Sequence, residues 1–197
     1  MREKMSQVFN PLKVEVFAHT GLLAPEQATN CFARHLSEMR GMFQDARALE
    51  AMLAHGDPLL YQVYMADIPD TPPHLLFGTT VIYPGKVGEE YFMTKGHYHQ
   101  VEDTAEVYYC LKGSGYILME RRDGAVSAQP LRAGEAVYIP PGWAHRSVNV
   151  GDEEFVFFCA YPGGAGHDYE AFDGLGFRNI VVEREGEPQV VPNPRFG

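Results

Sequence analysis

The sequence predicts an all-β chain, folded as a β-sandwich or a jelly-roll barrel. Short apolar or alternating runs succeed one another from residue 59 to residue 183, at strand length and too short for most helices. Glycine-bearing signals between them, Gly113-Ser114-Gly115 and Arg122-Asp123-Gly124, suit hairpin turns. Many of the 11 tyrosines and 12 phenylalanines fall inside these runs, where two facing sheets, or a sheet and a second subunit, bury large rings.

In chain order, residues 12–17 alternate apolar and polar and predict a first strand. Met39, Met42, Phe43, Ala46, Leu49 and Leu53 recur at spacings of three and four, which predicts a core-facing amphipathic helix with Gly41 as its weak point. Strands follow at 59–66, 75–83, 90–99, 106–112, 115–120, 126–131, 136–139, 145–150, 154–160 and 178–183. Pro140-Pro141-Gly142 enforces a turn between the seventh and eighth of these, and Trp143 and His145 open the return strand.

At 197 residues the chain is long enough for one well-buried core and short for two, so a single domain over 1–197 is expected, with its barrel core at about 59–183. An N-terminal strand and helical extension and a short C-terminal tail complete it. The 45% hydrophobic content excludes disorder. Every apolar run is far below the roughly 18 residues that cross a bilayer, and the N-terminal segment lacks an apolar signal core, so the expected location is the cytoplasm. Cys31, Cys110 and Cys159 cannot all pair, and no Cys-x-x-Cys is present to hold a structural zinc. The formal charge of −10 argues against nucleic acid and against an anionic membrane surface as partners. A phosphorylated ligand must therefore find a local, prearranged anion site.

Chemistry concentrates in two blocks. His97-Tyr98-His99 places two imidazoles two residues apart, on one face of a strand. Glu106 follows, and His145 lies within GEAVYIPPGWAHRSVN. Three nitrogens and a carboxylate suit a divalent ion such as iron, manganese, nickel or zinc and leave coordination positions open. Glu102 and Asp103 are rival carboxylates; Glu106 ranks first because the strand-like Val107-Tyr108-Tyr109-Cys110-Leu111 follows it. His19, His35, His55 and His74 carry no pattern and read as ordinary surface or packing residues.

Gly134-x5-Pro140-x-Gly142-x2-His145-x3-Asn149 matches the second motif of the cupin family at each fixed position, which favours the jelly-roll barrel. The first motif departs from it: six residues separate His99 from Glu106, more than most cupins have, and Tyr91 stands where a leading glycine is usual. That longer spacing, the run from Thr79 to Met119, PPGWAHRSVNVGDEEFVFFCAYP, Gly166-His167-Asp168-Tyr169 and Gly176-Phe177-Arg178-Asn179 resemble the cupin-type glucose-6-phosphate isomerases of archaea and some bacteria. The resemblance spans roughly residues 30–185.

It implies an aldose–ketose isomerase of glycolysis and gluconeogenesis, interconverting glucose 6-phosphate and fructose 6-phosphate. His97, His99, Glu106 and His145 would hold the metal, with iron the first expectation. Glu106 would also be the general base, although coordination lowers a carboxylate's basicity; a hydride shift would need no base, and the sequence does not separate the two routes. Tyr161 joins Glu106 as a catalytic candidate. Thr80, Thr94, Gly96 and Tyr169 would hold the phosphate, and Tyr108, Tyr161 and His167 would face the sugar. Lys95 is a further candidate, as countercharge. On a regular strand, however, it shares the face of His97 and His99 while Thr94 points away, unless Gly96 hosts a bulge. Cupin edges covered by a second subunit imply a homodimer. The rivals are an iron-dependent cupin dioxygenase and a non-catalytic cupin that binds sugar phosphates.

Overall fold

Thirteen short strands and one short helix are arranged around a common apolar core in the computed structural model, which describes residues 9–17 and 19–196. The chain begins with β1 (Ala28–His35), a 3-10 turn at Leu36–Met39 and α1 (Ala46–Leu53). Next come β2 (Leu59–Ala66), β3 (Leu75–Ile82), β4 (Lys86–Val87), β5 (Glu90–Tyr91), β6 (Glu106–Lys112) and β7 (Ser114–Glu120). β8 (Val126–Arg132), β9 (Ala136–Ile139), β10 (Ala144–Asn149), β11 (Phe155–Pro162), β12 (Asn179–Arg184) and β13 (Glu187–Pro192) complete the set. No helix among the described residues is long and apolar enough to cross a membrane.

All strand pairings are antiparallel. One sheet runs β1-β2-β3-β11-β6-β9, a second β10-β7-β8 and a third β13-β12-β5-β4. The non-sequential neighbours, with β11 between β3 and β6, are those of a jelly-roll barrel rather than a meander. Ile82, Cys110, Phe155 and Phe157 from the first sheet and Ile117, Leu118, Leu131 and Val148 from the second join one buried cluster. β10 is buried along its whole length despite the sequence AHRSVN. Asn149 at its end is tied internally, with Nδ2 donating to the carbonyls of Ile82 at 2.8 Å and Glu153 at 2.9 Å.

Nine of the ten strands expected between residues 59 and 183 form, within two residues of their expected ends. The tenth, 90–99, ends as a strand after two residues, for reasons that shape the site. Residues 12–17 are not a strand. They pair only locally, through a bridge from Val16 to Leu23 flanked by hydrogen bonds from Phe17 N to Leu22 O and from Ala24 N to Glu15 O, each 2.9 Å, and Val14 and Val16 pack on the small cluster of Leu23, Ala28 and Ala66. The expected helix over residues 39–53 is divided. Gly41 turns the chain in the left-handed region, φ +81°, and α1 starts only where Asp45 accepts a hydrogen bond from the Ala48 amide at 2.8 Å. Met39, Met42 and Phe43 are nevertheless buried, from the 3-10 turn and the loop. β1, the two-residue β4 and β13 fall outside the expected strands. β1 is an edge strand with a mixed pattern and register shifts at both ends, and β13 carries Pro188 and Pro192, which argue against a strand anywhere but an edge.

Candidate metal centre and active site

The segment after β5 lies against β10. Thr94 N donates to Ser147 O at 2.9 Å, and the His97 and His145 backbones bond each other at 3.2 and 3.0 Å. Met93 faces Val148 and His97 faces His145, so four steps on one side match three on the other. The extra residue is a bulge, and Gly96 within it has φ +74°. Regular alternation would turn Thr94 away from His97; the bulge brings Thr94, Lys95, Gly96 and His97 all to one cavity. Gly96 is required there because a Cβ would stand 2.5 Å from the Phe177 ring and 3.0 Å from Arg146 Cβ.

One ligand atom from each of His97, His99, Glu106 and His145 lies within 4.8 Å of the others, and His99, Glu106 and His145 are buried. Glu106 Oε2 is 3.2 Å from His99 Nε2 and 3.0 Å from His145 Nε2. The hydrogen bonds behind the rings define what these atoms carry. Thr104 donates its hydroxyl to Val101 O at 2.6 Å, so its oxygen accepts from His99 Nδ1 at 2.8 Å, and Nε2 is left with its lone pair. His145 Nδ1 turns to Trp143 O at 3.5 Å, while the Nε2 atoms of His97 and His145 are buried without a hydrogen-bond partner. Lone pairs therefore converge on an anionic oxygen, an arrangement that a cation resolves. Donors about 2.1 Å from one ion and at right angles sit about 3.0 Å apart, close to the separations seen here. The residues fit a divalent metal.

Charge follows burial. His97 is held well below the ordinary histidine value by burial, reinforced by His145, His167 and His99. Burial alone would raise Glu106, but the adjacent His145 and His99 outweigh it and hold the carboxyl low. His167 is lowered by burial. Burial raises Tyr108 and Tyr161 far above the usual phenol range and Tyr169 to about 12, so all three keep their protons at neutral pH.

The metal-ligand set opens into a cavity of about 170 Å³. Thr80, Thr94, Gly96, Tyr108, Tyr161, His167 and Tyr169 all line it, as do His97, Glu106 and His145; His99 lies behind this lining. His167 stacks on Tyr169 with ring centres 5.7 Å apart and stands edge-on to His97 at 4.4 Å. The Tyr161 ring is 5.9 Å from that of His99. Lys95 lies over the Tyr169 ring at 5.3 Å, with Nζ 3.9 Å from Asp173. The rival carboxylates stay outside: Glu102 and Asp103 are exposed, and Glu102 bonds Arg122 at 2.8 Å. His19, His35, His55 and His74 take no part in the lining.

Sequence reasoning passed over Phe32, Tyr61, Phe157 and Cys159, which also line the cavity. Tyr61 had a signal, since β2 was expected and its alternation marks one inward face; Phe32 had none, because β1 was not foreseen.

Residues 33–193 match the family model described as glucose-6-phosphate isomerase (GPI). The chain belongs to that family. A glucose-6-phosphate isomerase of Pyrococcus abyssi is 45% identical over 186 residues, covering 94% of this chain and 97% of the relative. That of Thermococcus gammatolerans is also 45% identical, over 94% and 96% of the two chains. A bacterial relative of the same name, from Sinorhizobium medicae, is 36% identical over 93% of this chain and 85% of its own length. Among solved structures, oxalate decarboxylase of Bacillus subtilis resembles 52% of this chain with 26% of its own, at 24% identity and a TM-score of 0.43.

Proposed function

We propose that this family member is a metal-dependent isomerase interconverting glucose 6-phosphate and fructose 6-phosphate. The observation that carries the proposal is the convergence of three imidazoles and Glu106 beside a cavity that also presents the hydroxyl-bearing side chains of Thr80, Thr94, Tyr108, Tyr161 and Tyr169. His97, His99, Glu106 and His145 would hold the ion, and a bound divalent metal would polarise the sugar carbonyl and stabilise the oxyanion that forms beside it. We take iron as the native ion; the donor set also accepts manganese, nickel or zinc.

The rest of the chemistry falls to the chain's own groups. Thr80, Thr94, the Gly96 amide and Tyr169 bind the phosphate through neutral donors, which suits a protein of formal charge −10. Tyr108 and Tyr161 would donate to sugar oxygens, Tyr161 giving its proton to O1 and being reprotonated by the C2 hydroxyl as that becomes the ketose carbonyl. His167, kept neutral by burial, orients a hydroxyl without adding charge. Glu106 would take the proton from C2 of the open-chain aldose and return it to C1. Its buried setting prevents exchange with bulk water during the transfer.

A homodimer in the cytoplasm, working in glycolysis and gluconeogenesis, completes the reading. The outer face of β6 and β9 supports the dimer, since Val107, Tyr109 and Tyr138 are exposed there on an edge of the large sheet. The test is conversion of fructose 6-phosphate by protein stripped with a chelator and reloaded with one metal at a time. Activity lost on stripping and restored by metal supports the proposal; stoichiometric metal without turnover under every ion refutes it.

A further inference from the structure

Arg146 is the bulkiest of the fully buried side chains, 1% exposed, and no element of the site described so far uses it. It follows His145 on β10, so it leaves the opposite face of the strand and runs behind the bulge. Its Nη2 donates to the Lys95 carbonyl at 2.8 Å, and its guanidinium lies over the Phe177 ring at 4.6 Å. Two buried carboxylates reach it by charge without pairing with it: Glu90 Oε2 accepts from Gln44 N at 2.9 Å while its Oε1 has no partner, and Glu120 Oε2 accepts from Arg178 N at 2.6 Å. Among the described residues no ion pair reaches the guanidinium, and its Nε has no partner. Burying a cation without a paired anion is costly, and the Lys95 carbonyl, the Phe177 ring and the charges of Glu90 and Glu120 are what offset it here.

That contact has a directional consequence. The peptide joining Lys95 to Gly96 is trans, since the cis bond among the described residues is Pro72-Pro73. In a trans peptide the carbonyl and the amide point in opposite directions. Drawing the Lys95 carbonyl back onto Arg146 therefore turns the Gly96 N–H away from it. Gly96 lines the cavity, and its amide has no backbone or side-chain acceptor among the described residues.

We propose that Arg146 is a positioning residue for substrate binding: through the Lys95 carbonyl it holds the Gly96 amide as a donor for the phosphate. The guanidinium also draws electron density through that peptide, which makes the N–H a stronger donor to an anion. This rests on the isomerase reading above and extends it to a residue that never touches the substrate.

The test uses the full-length, zinc-loaded protein, labelled with ¹³C-carbonyl lysine and ¹⁵N-glycine. Only peptides in which glycine follows lysine then give a carbonyl–amide correlation, and the sequence has two: Lys95-Gly96 and Lys112-Gly113. On titration with inorganic phosphate and with fructose 6-phosphate, the Gly96 amide should move downfield while Gly113 stays as an internal control. Sorbitol, which lacks phosphate, should leave both in place. In Arg146→Met the phosphate midpoint and the KM for fructose 6-phosphate should rise at least about tenfold, the worth of one hydrogen bond to a charged group, with a smaller change in kcat. Arg146→Lys, which keeps the charge and one donor, should fall between Met and the wild type. A Gly96 amide indifferent to phosphate in a wild-type protein that turns over fructose 6-phosphate overturns the inference and leaves the isomerase standing, and this arm needs no variant to fold. A wild-type KM in Arg146→Met overturns it equally. Absence of turnover with every metal, together with no response to the sugar phosphate, refutes the isomerase itself.

Discussion

Replacing Gly96 with alanine tests the bulge on which the whole cavity wall depends. Two costs can be worked out from the geometry. The left-handed conformation, φ +74°, costs an alanine about 1 kcal/mol relative to glycine. The new methyl would meet Phe177 Cε2 at 2.5 Å and Cζ at 2.9 Å. Phe177 has little room to yield: it is 1% exposed, stacked on Phe172 at 4.2 Å and capped by the Arg146 guanidinium. Overpacking of this kind costs about 1–3 kcal/mol. The expected loss is roughly 3 kcal/mol, which for a chain of this size lowers Tm by roughly 6–12 °C. Gly186→Ala is the matched control, with φ +81° and nothing within 4 Å of its Cβ position; it should carry the conformational cost alone, about 1 kcal/mol. Thermal melts followed by circular dichroism compare the two, and steady-state kinetics on fructose 6-phosphate read the wall itself, where KM should rise in Gly96→Ala only. If Gly96→Ala melts with Gly186→Ala and keeps a wild-type KM, the bulge neither crowds Phe177 nor shapes the site.

Further perturbations address the metal centre. Glu106→Gln should retain appreciable metal, because three imidazoles remain, while kcat falls by about 10²–10⁴, the range for losing a general base; near-wild-type turnover would remove Glu106 from that role. His145→Ala should lose metal and activity together, and full metal occupancy measured by atomic absorption in the purified variant would contradict its place among the ligands. Metal-stripped protein should also be acid-sensitive. His97 and His167 are held below the ordinary histidine value by burial, so as pH falls through about 6.5 the unfolded chain takes up protons first. Stability is then complete above that pH and declines toward the lower folded values, with Glu106 adding a loss of the same sign in the carboxylate range. Tm of the stripped protein should drop between pH 7 and pH 5, and less in His167→Asn; a flat profile would mean that these groups are not perturbed.

The residues of the candidate site were legible because local constraints wrote them into short blocks. A turn as tight as Pro140-Pro141-Gly142 admits few residues, and the strand carrying His145 must begin just beyond it. His97 and His99 share a face by the period of the backbone, and the strand following Glu106 set it above Glu102 and Asp103, which the structure leaves in solvent. Short apolar runs between turn signals likewise marked β2, β3, β6, β7 and β11, each of which contributes side chains to the same core. Other features depend on partners distant in the chain. β1 is a strand because β2 offers it an edge, residues 12–17 stop at one local bridge to Leu23, and the helical stripe was cut at Gly41 while its apolar side chains stayed buried. The extra residue at Gly96 exists only as a mismatch between two segments about fifty residues apart. That mismatch decides that Thr94, Lys95 and His97 face one cavity, and it leaves room behind them for the buried cation of Arg146. Periodicity along one strand identifies which side chains share a face, but pairing register is a relation between two strands, and it was settled only when the barrel closed.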